Sequence, residues 1–214
     1  MSDVEVAEQK RRLRRRVGDA VRALPPEDVA ERSRRIAERL FACRCWREAE
    51  IVYCYASFAG EVQTGDIRRR AESEGRRVAL PRVSGRSMRF HDVTGSTRAL
   101  ERSAFGIDEP AADLPVVEPG PAAPGAGASG PAASLVLVPG LAFDADGGRL
   151  GRGGGFYDRF LSAFSGQCLP LGLCFEVQLV EAVPRTEGDV RVAGVMTEQR
   201  VIRRAGSLDH ALLL

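Results

Sequence analysis

Lysine is almost missing from this chain: of 31 basic residues among 214, only Lys10 is a lysine and the rest are arginines. Histidine is nearly as scarce, and the two present, His91 and His210, have no partner spacing of catalytic type. Covalent catalysis through a Ser-His-Asp or Cys-His arrangement is therefore not expected. The cysteines (Cys43, Cys45, Cys54, Cys168, Cys174) are odd in number and lack metal-ligand spacing, which argues against a zinc site. Cys54 and Cys174 lie in apolar runs, where free thiols pack as small hydrophobes and suit a reducing compartment. No window approaches the roughly 18 apolar residues of a membrane span. The N-terminus is charged from Asp3 to Arg16 with no apolar stretch behind it, so a cytoplasmic protein is expected. Charge of one sign is lacking too. The net charge of +2 gives no global field able to hold a nucleic acid or an anionic membrane, and any polyanion site must be local.

The composition that remains, 44% hydrophobic and 28% charged, is that of a packed globular protein. Its length suits a single α/β domain over 1–214, and a monomer is expected. Val6, Leu13, Val17 and Val21 form a helical stripe within residues 4–24, which Pro25 and Pro26 close. A second helix is predicted from Pro26 or Glu27 to Phe41. Strands are predicted at 51–58, 78–80 before Pro81, 87–93, 135–138, 169–174 and, last, 192–196; helices at 65–75, 156–164 and, briefly, 177–182. Residues 115–133 are rich in Pro, Gly and Ala and read as a flexible surface loop. Leu135 to Val138 is continuously apolar, as in a strand buried on both faces of a parallel sheet. Strands alternating with helices imply an α/β fold: a mainly parallel sheet flanked by helices in three layers. Ligands then bind at the carboxyl ends of strands, in the loops after Phe58, Leu80, Val138 and Cys174.

The most informative segment joins that buried strand to a helix. It reads VPGLAFD from Val138 to Asp144, then GRLGRGGGFYDR from Gly148 to Arg159. Gly151, Gly153, Gly154 and Gly155 free the backbone to turn tightly and aim successive N–H groups into one concavity, an anion cradle ahead of the helix. Arg149 and Arg152 flank it, and Asp158 can hold Mg²⁺ or a neighbouring donor. No Gly-Lys-Ser/Thr follows, so this is not a Walker A loop, and Phe156 stands where the third glycine of a dinucleotide fingerprint would fall.

This string strongly resembles the signature of the 5-formyltetrahydrofolate cyclo-ligase family. The resemblance extends along the chain through Lys10 and Arg14, Glu61 and Thr64, Leu80-Pro81, Gly106-Ile107 with Glu109-Pro110, and Asp189 with Thr197-Glu198. It implies a fold similar to that of sugar-phosphate isomerases and CoA-transferases. The implied enzyme uses ATP and Mg²⁺ to close 5-formyltetrahydrofolate into 5,10-methenyltetrahydrofolate through a phosphorylated imidate. By resemblance ATP would bind at Lys10, Arg14, Arg149, Leu150, Gly151, Arg152, Gly153, Gly154, Gly155, Phe156, Tyr157 and Asp158. The folate would meet Glu61, Met88 and Tyr157; Asp158 and Asp189 would hold the metal; Arg149, Tyr157 and Lys10 would carry the catalysis. On the residues alone, Lys10 and Arg14 also read as a solvated basic face, Glu61 as a surface carboxylate, and Tyr157, Met88 and Phe58 as ordinary apolar packing. Arg152 departs from the family pattern, where an aromatic is common, as does Gly188, where a His often precedes Asp189. A non-catalytic formylfolate or nucleotide binder is the alternative; a nucleic-acid module built on the basic cluster from Lys10 to Arg16 lacks interleaved aromatics.

Overall fold

The computed structural model describes residues 3–58, 60–96, 100–102, 106, 108–120, 133–205 and 213. Its centre is an eight-stranded sheet. In chain order the strands are β1 (Ile51–Tyr53), β2 (Arg77–Ser84), β3 (Ser87–Asp92), β6 (Val116–Val117), β7 (Ser134–Val138), β10 (Leu169–Leu173), β11 (Gly194–Met196) and β12 (Val201–Arg203). Across the sheet they run β12-β11-β10-β7-β1-β2-β3-β6. The pairs from β11 to β2 are parallel, and antiparallel strands close both edges. Two short hairpins lie outside the sheet: β4 (Glu101–Arg102) with β5 (Asp108–Glu109), and β8 (Ala142–Phe143) with β9 (Arg149–Leu150).

Pleating divides each central strand between two cores. Val52, Leu135 and Leu137 pack with α2 (Pro26–Ala42), α3 (Arg44–Glu48) and α4 (Gly65–Ser73), through Ile36, Leu40, Trp46 and Ile67. Ile51, Tyr53, Val136 and Val138 pack on the other face with Phe90 and, from α5 (Phe156–Ala163), Phe160 and Leu161. Helix α1 (Asp3–Arg22) joins neither core. Its buried stripe of Leu13, Val17 and Val21 packs on Ala142, Leu150 and Val183, so it lies against the β8–β9 hairpin beyond the carboxyl end of β7. That placement carries Lys10 and Arg14 to the glycine loop.

Several predicted boundaries are corrected. The first strand stops at Tyr53 rather than residue 58, because side chains satisfy the backbone beyond it: Thr64 Oγ1 donates to the Tyr55 carbonyl at 2.5 Å, and Ser57 Oγ to that of Val62 at 3.1 Å. The second strand runs through Pro81 to Ser84. Alternation aims the Pro81 nitrogen at the side where β1 has already ended, since Tyr53 pairs with Ala79, so its missing N–H costs no ladder bond. The predicted short helix at 177–182 is a single 3₁₀ turn, Glu176–Gln178. The strand predicted as last has a successor, β12, reached by a turn in which Thr197 Oγ1 accepts from the N–H groups of Gln199 and Arg200. Within the predicted surface loop, Val116 and Val117 pair with His91 and Phe90 on the outer edge of β3, where β6 ends the sheet among the described residues. Residues 121–132 of that loop, together with Ile107 and His210, lie outside the described residues. Among the described residues no helix is long and apolar enough to cross a membrane.

Candidate active site

Because β1 turns away early and β2 continues past it, a cleft opens beyond the carboxyl ends of the parallel strands. It has a volume of about 570 Å³. Of the four loops expected to line it, those after β1 and β7 do so; after Leu80 it is β2 itself that lines it, through Pro81 and Val83, and the long connection after Cys174 contributes Asp189. The 3₁₀ turn in that connection also supports the cleft from behind: Gln178 Nε2 donates to the carbonyls of Gly140 and Leu141 at 3.0 and 3.2 Å.

The glycine loop is held at both ends. Before it, the buried Asp144 accepts from the N–H groups of Asp146, Gly148 and Val183 at 3.0, 2.7 and 2.8 Å, which fixes the β8–β9 turn. At its start, Arg14 Nε donates to the Gly151 carbonyl at 2.9 Å. Gly153 and Gly155 have φ of 107° and 64°, a region that strains side-chain-bearing residues, and Gly155 caps α5. The loop backbone therefore faces the cleft from the N-terminal end of that helix.

Two ion pairs stand over it. Lys10 Nζ donates to Asp189 Oδ2 at 2.5 Å, with both side chains mostly buried, and the same oxygen accepts from Thr186 N–H at 2.6 Å and Thr186 Oγ1 at 3.0 Å. Burial pushes the Asp189 pKa up, but the Lys10 hydrogen bond and the Thr186 N–H outweigh it and hold the group below the ordinary aspartate value. Arg149, whose side chain is 4% exposed, donates from Nη2 to Asp158 Oδ1 at 2.6 Å, and that oxygen also accepts Val190 N–H at 3.1 Å. Arg149 Cζ stands 5.5 Å from the Tyr157 ring centroid, and Tyr157 meets Phe90 edge to face. The Arg149 Nε and the Tyr157 hydroxyl are buried without a hydrogen-bond partner. Burial raises the Tyr157 pKa above its ordinary value, so the hydroxyl keeps its proton at neutral pH and can donate a hydrogen bond.

The other end of the cleft is lined by Phe58, Pro81, Val83 and Met88, with Glu61, Asp108 and Glu109 as its carboxylates. Glu61 Oε2 accepts the Phe58 N–H at 3.0 Å and Oε1 pairs with Arg152 at 3.3 Å, while the Arg152 guanidinium lies 4.9 Å from the Phe58 ring centroid. Every residue expected in the site thus lines one cleft. Two stand differently from expectation within it. Arg152 reaches Glu61 rather than the ion pairs, and Leu150 places its side chain in the α1 core, leaving only backbone for the cleft. Phe156 starts α5 under Arg159, whose guanidinium is 5.1 Å from its ring.

Comparison with known proteins decides the family. The profile of the 5-formyltetrahydrofolate cyclo-ligase family matches residues 6–198. The chain belongs to this family. Its curated relatives include the 5-formyltetrahydrofolate cyclo-ligase of Escherichia coli, 31% identical over 184 residues that span 84% of this chain and 95% of that one. The mouse cyclo-ligase is 28% identical over 210 residues, 92% of this chain and 98% of the other. Among solved structures, the 5,10-methenyltetrahydrofolate synthetase of Aquifex aeolicus superposes with a TM-score of 0.77 at 28% identity, covering 92% of this chain and 94% of that one. That of Mycoplasma pneumoniae, at 19% identity and a TM-score of 0.66, shares the fold over 88% and 98% of the two chains.

Thr186, two residues before Gly188, supplies two of the donors that hold Asp189. Asp144 and Gln178, the buried residues that shape the cleft from behind, and Glu109 within it had no role expected from the sequence. Their signal was membership of the quoted motifs (Asp144, Glu109) or none (Gln178).

Proposed function

We propose that this cyclo-ligase closes 5-formyltetrahydrofolate to 5,10-methenyltetrahydrofolate at the expense of ATP, with the phosphates at the ion-paired end of the cleft and the folate at the apolar end. The observation that carries the assignment is the convergence of Lys10, Arg14, Arg149 and the glycine loop on one end of a single cleft. Three cations beside a loop with open backbone N–H groups suit a polyphosphate.

The formyl oxygen is an amide oxygen, a weak nucleophile and a poor leaving group. Its attack on the γ-phosphorus releases ADP and leaves a phosphorylated imidate. Attack of N10 on the formyl carbon and departure of inorganic phosphate then form the methenyl bridge, the N10 proton being lost. Positioning and charge neutralisation are the protein's share of such a transfer. Arg149, oriented by Asp158, and Lys10, oriented by Asp189, face the transferring phosphoryl group. The protonated Tyr157 hydroxyl, unpartnered between the two ends, donates to the substrate at the reacting centre.

Mg²⁺ takes one or two protein carboxylates together with phosphate oxygens and water. Asp158 Oδ2 and Asp189 Oδ1 have no hydrogen-bond partner among the described residues, so this pair fits that need, although no cluster of three potential ligands occurs there. Bound there, the ion supplies charge neutralisation of the phosphates.

The test follows the absorbance of the methenyl product from purified protein, 5-formyltetrahydrofolate, Mg²⁺ and ATP, with ATP omitted as control. ATP-dependent product supports the reading. Binding of 5-formyltetrahydrofolate without product would assign the protein to non-catalytic folate binding.

A further inference from the structure

Three carboxylates among the described residues are almost wholly withdrawn from water: Asp144, Glu198 and Glu109. Burial of a carboxylate is tolerated when cations or several donors replace its hydration. Asp144 accepts three backbone N–H groups. Glu198 pairs with Arg32 at 3.1 Å and accepts the Glu176 N–H at 2.9 Å. Glu109 has one contact, a long 3.3 Å hydrogen bond from the Val83 N–H to Oε1, and no ion pair among the described residues.

Its position explains where a missing partner would come from. The Val83 N–H points to the side of β2 that β1 has vacated, and the β4–β5 hairpin brings Glu109 to that side, into the wall of the cleft beside Pro81, Val83 and Met88. The residue is 7% exposed, and the cleft is the space its second oxygen can address. The cations at the other end of the cleft are already committed to Asp189 and Asp158. Glu61, the carboxylate expected to meet the folate, has both oxygens engaged, by the Phe58 N–H and by Arg152. Apolar walls with a single buried acceptor suit a flat heterocycle that carries N–H donors on one edge. A reduced pterin is such a ring, with donors at N3 and its 2-amino group.

We propose that Glu109 is a specificity-determining residue of the cleft, accepting a hydrogen bond from the pterin N–H donors of the folate. This rests on the folate reading given above. The ring binds with its donor edge on Glu109 and its faces against the Met88 wall, which directs N5 and N10 toward Tyr157.

The experiment compares wild-type protein with Glu109→Gln by calorimetric titration of 5-formyltetrahydrofolate in the absence of ATP, alongside KM for ATP and the thermal midpoint. Gln keeps an oxygen for the Val83 N–H and removes the charge from the ligand side. The expected result is a folate Kd at least about tenfold weaker, the loss of a charge-assisted hydrogen bond, with KM for ATP and the midpoint unchanged. An analogue alkylated at N3 and lacking the 2-amino group should abolish the difference between the two proteins. A folate Kd within about twofold of wild type overturns the assignment, as does a lowered midpoint with folate and ATP affected alike, which marks a purely structural carboxylate. Wild-type protein that fails to bind 5-formyltetrahydrofolate overturns the folate reading and this one together; wild-type binding with an unchanged Glu109→Gln overturns only the role of Glu109.

Discussion

Arg149, on β9, and Arg152, in the glycine loop that follows, sit three residues apart and line the same cleft, yet they are different kinds of arginine. The Arg149 side chain is 4% exposed, bonded to Asp158 and stacked near Tyr157; that of Arg152 is 51% exposed, with a 3.3 Å ion pair to Glu61 and the Phe58 ring 4.9 Å away. The contrast extends to the two ends of the cleft. At the ion-paired end each charge is oriented before any ligand arrives, so little reorganisation accompanies the reaction there. The apolar end has walls and acceptors whose geometry a ligand completes. Placing an arginine near a phosphate loop therefore says little about its role; burial and orientation decide it.

The comparison breaks first at Arg149. Arg149→Ala should lower kcat by about a hundredfold or more, the roughly 3 kcal/mol of a lost oriented charge contact in the transition state. Initial rates of methenyl product formation measure this, with calorimetry to establish that the variant is folded. Near-normal turnover in folded protein would remove Arg149 from the mechanism. Lys10→Met tests the same end through binding: KM for ATP should rise about tenfold while KM for the folate stays near wild type. Equal increases in both constants would count against separate ends.

At Arg152 the expected effect is smaller. An exposed ion pair contributes about 0–1 kcal/mol, so Arg152→Ala should change KM for the folate by no more than about fivefold and kcat hardly at all. A drop in kcat comparable with that of Arg149→Ala would erase the distinction between the two residues.

Which features the sequence displayed follows from the range of the interactions that produce them. The α1 stripe was legible because Val6, Leu13, Val17 and Val21 recur at helical spacing, and all four are buried. Its docking on Ala142, Leu150 and Val183 was not, because those contacts join residues far apart in the chain. Leu135 to Val138 announced a strand buried on both faces, and β7 is that strand. The cleft itself was hidden. It exists because Ser57 and Thr64 take over backbone bonding after β1 and because Pro81 sits where its missing N–H is harmless, two tertiary facts that β propensity does not encode. The glycine loop and its arginines were visible as a motif, whereas the depth of Arg149 and the exposure of Arg152 were not. Glu109 shows the same limit, since nothing near it in the chain signals that a carboxylate beside a proline will be buried with one hydrogen bond.

The smallest expected effect concerns Asp189 and pH. Its folded pKa is held below the ordinary 3.8, burial opposing and the Lys10 hydrogen bond with the Thr186 N–H prevailing. A group whose folded pKa is depressed contributes stability that is present above its unfolded pKa and disappears as pH falls through the folded value. For Asp189 the window is therefore acidic, below about pH 4, and the neutral range is untouched. Asp189→Asn removes this titration, so its urea midpoint should fall less steeply than that of wild type between about pH 5 and about pH 2, although the variant is the less stable of the two at neutral pH, where the charged pair with Lys10 is intact only in wild type. Parallel curves would mean that Lys10 and Asp189 do not favour the ionised carboxylate in the folded protein, and the ion-paired end of the cleft would then be assembled by the phosphates rather than before them.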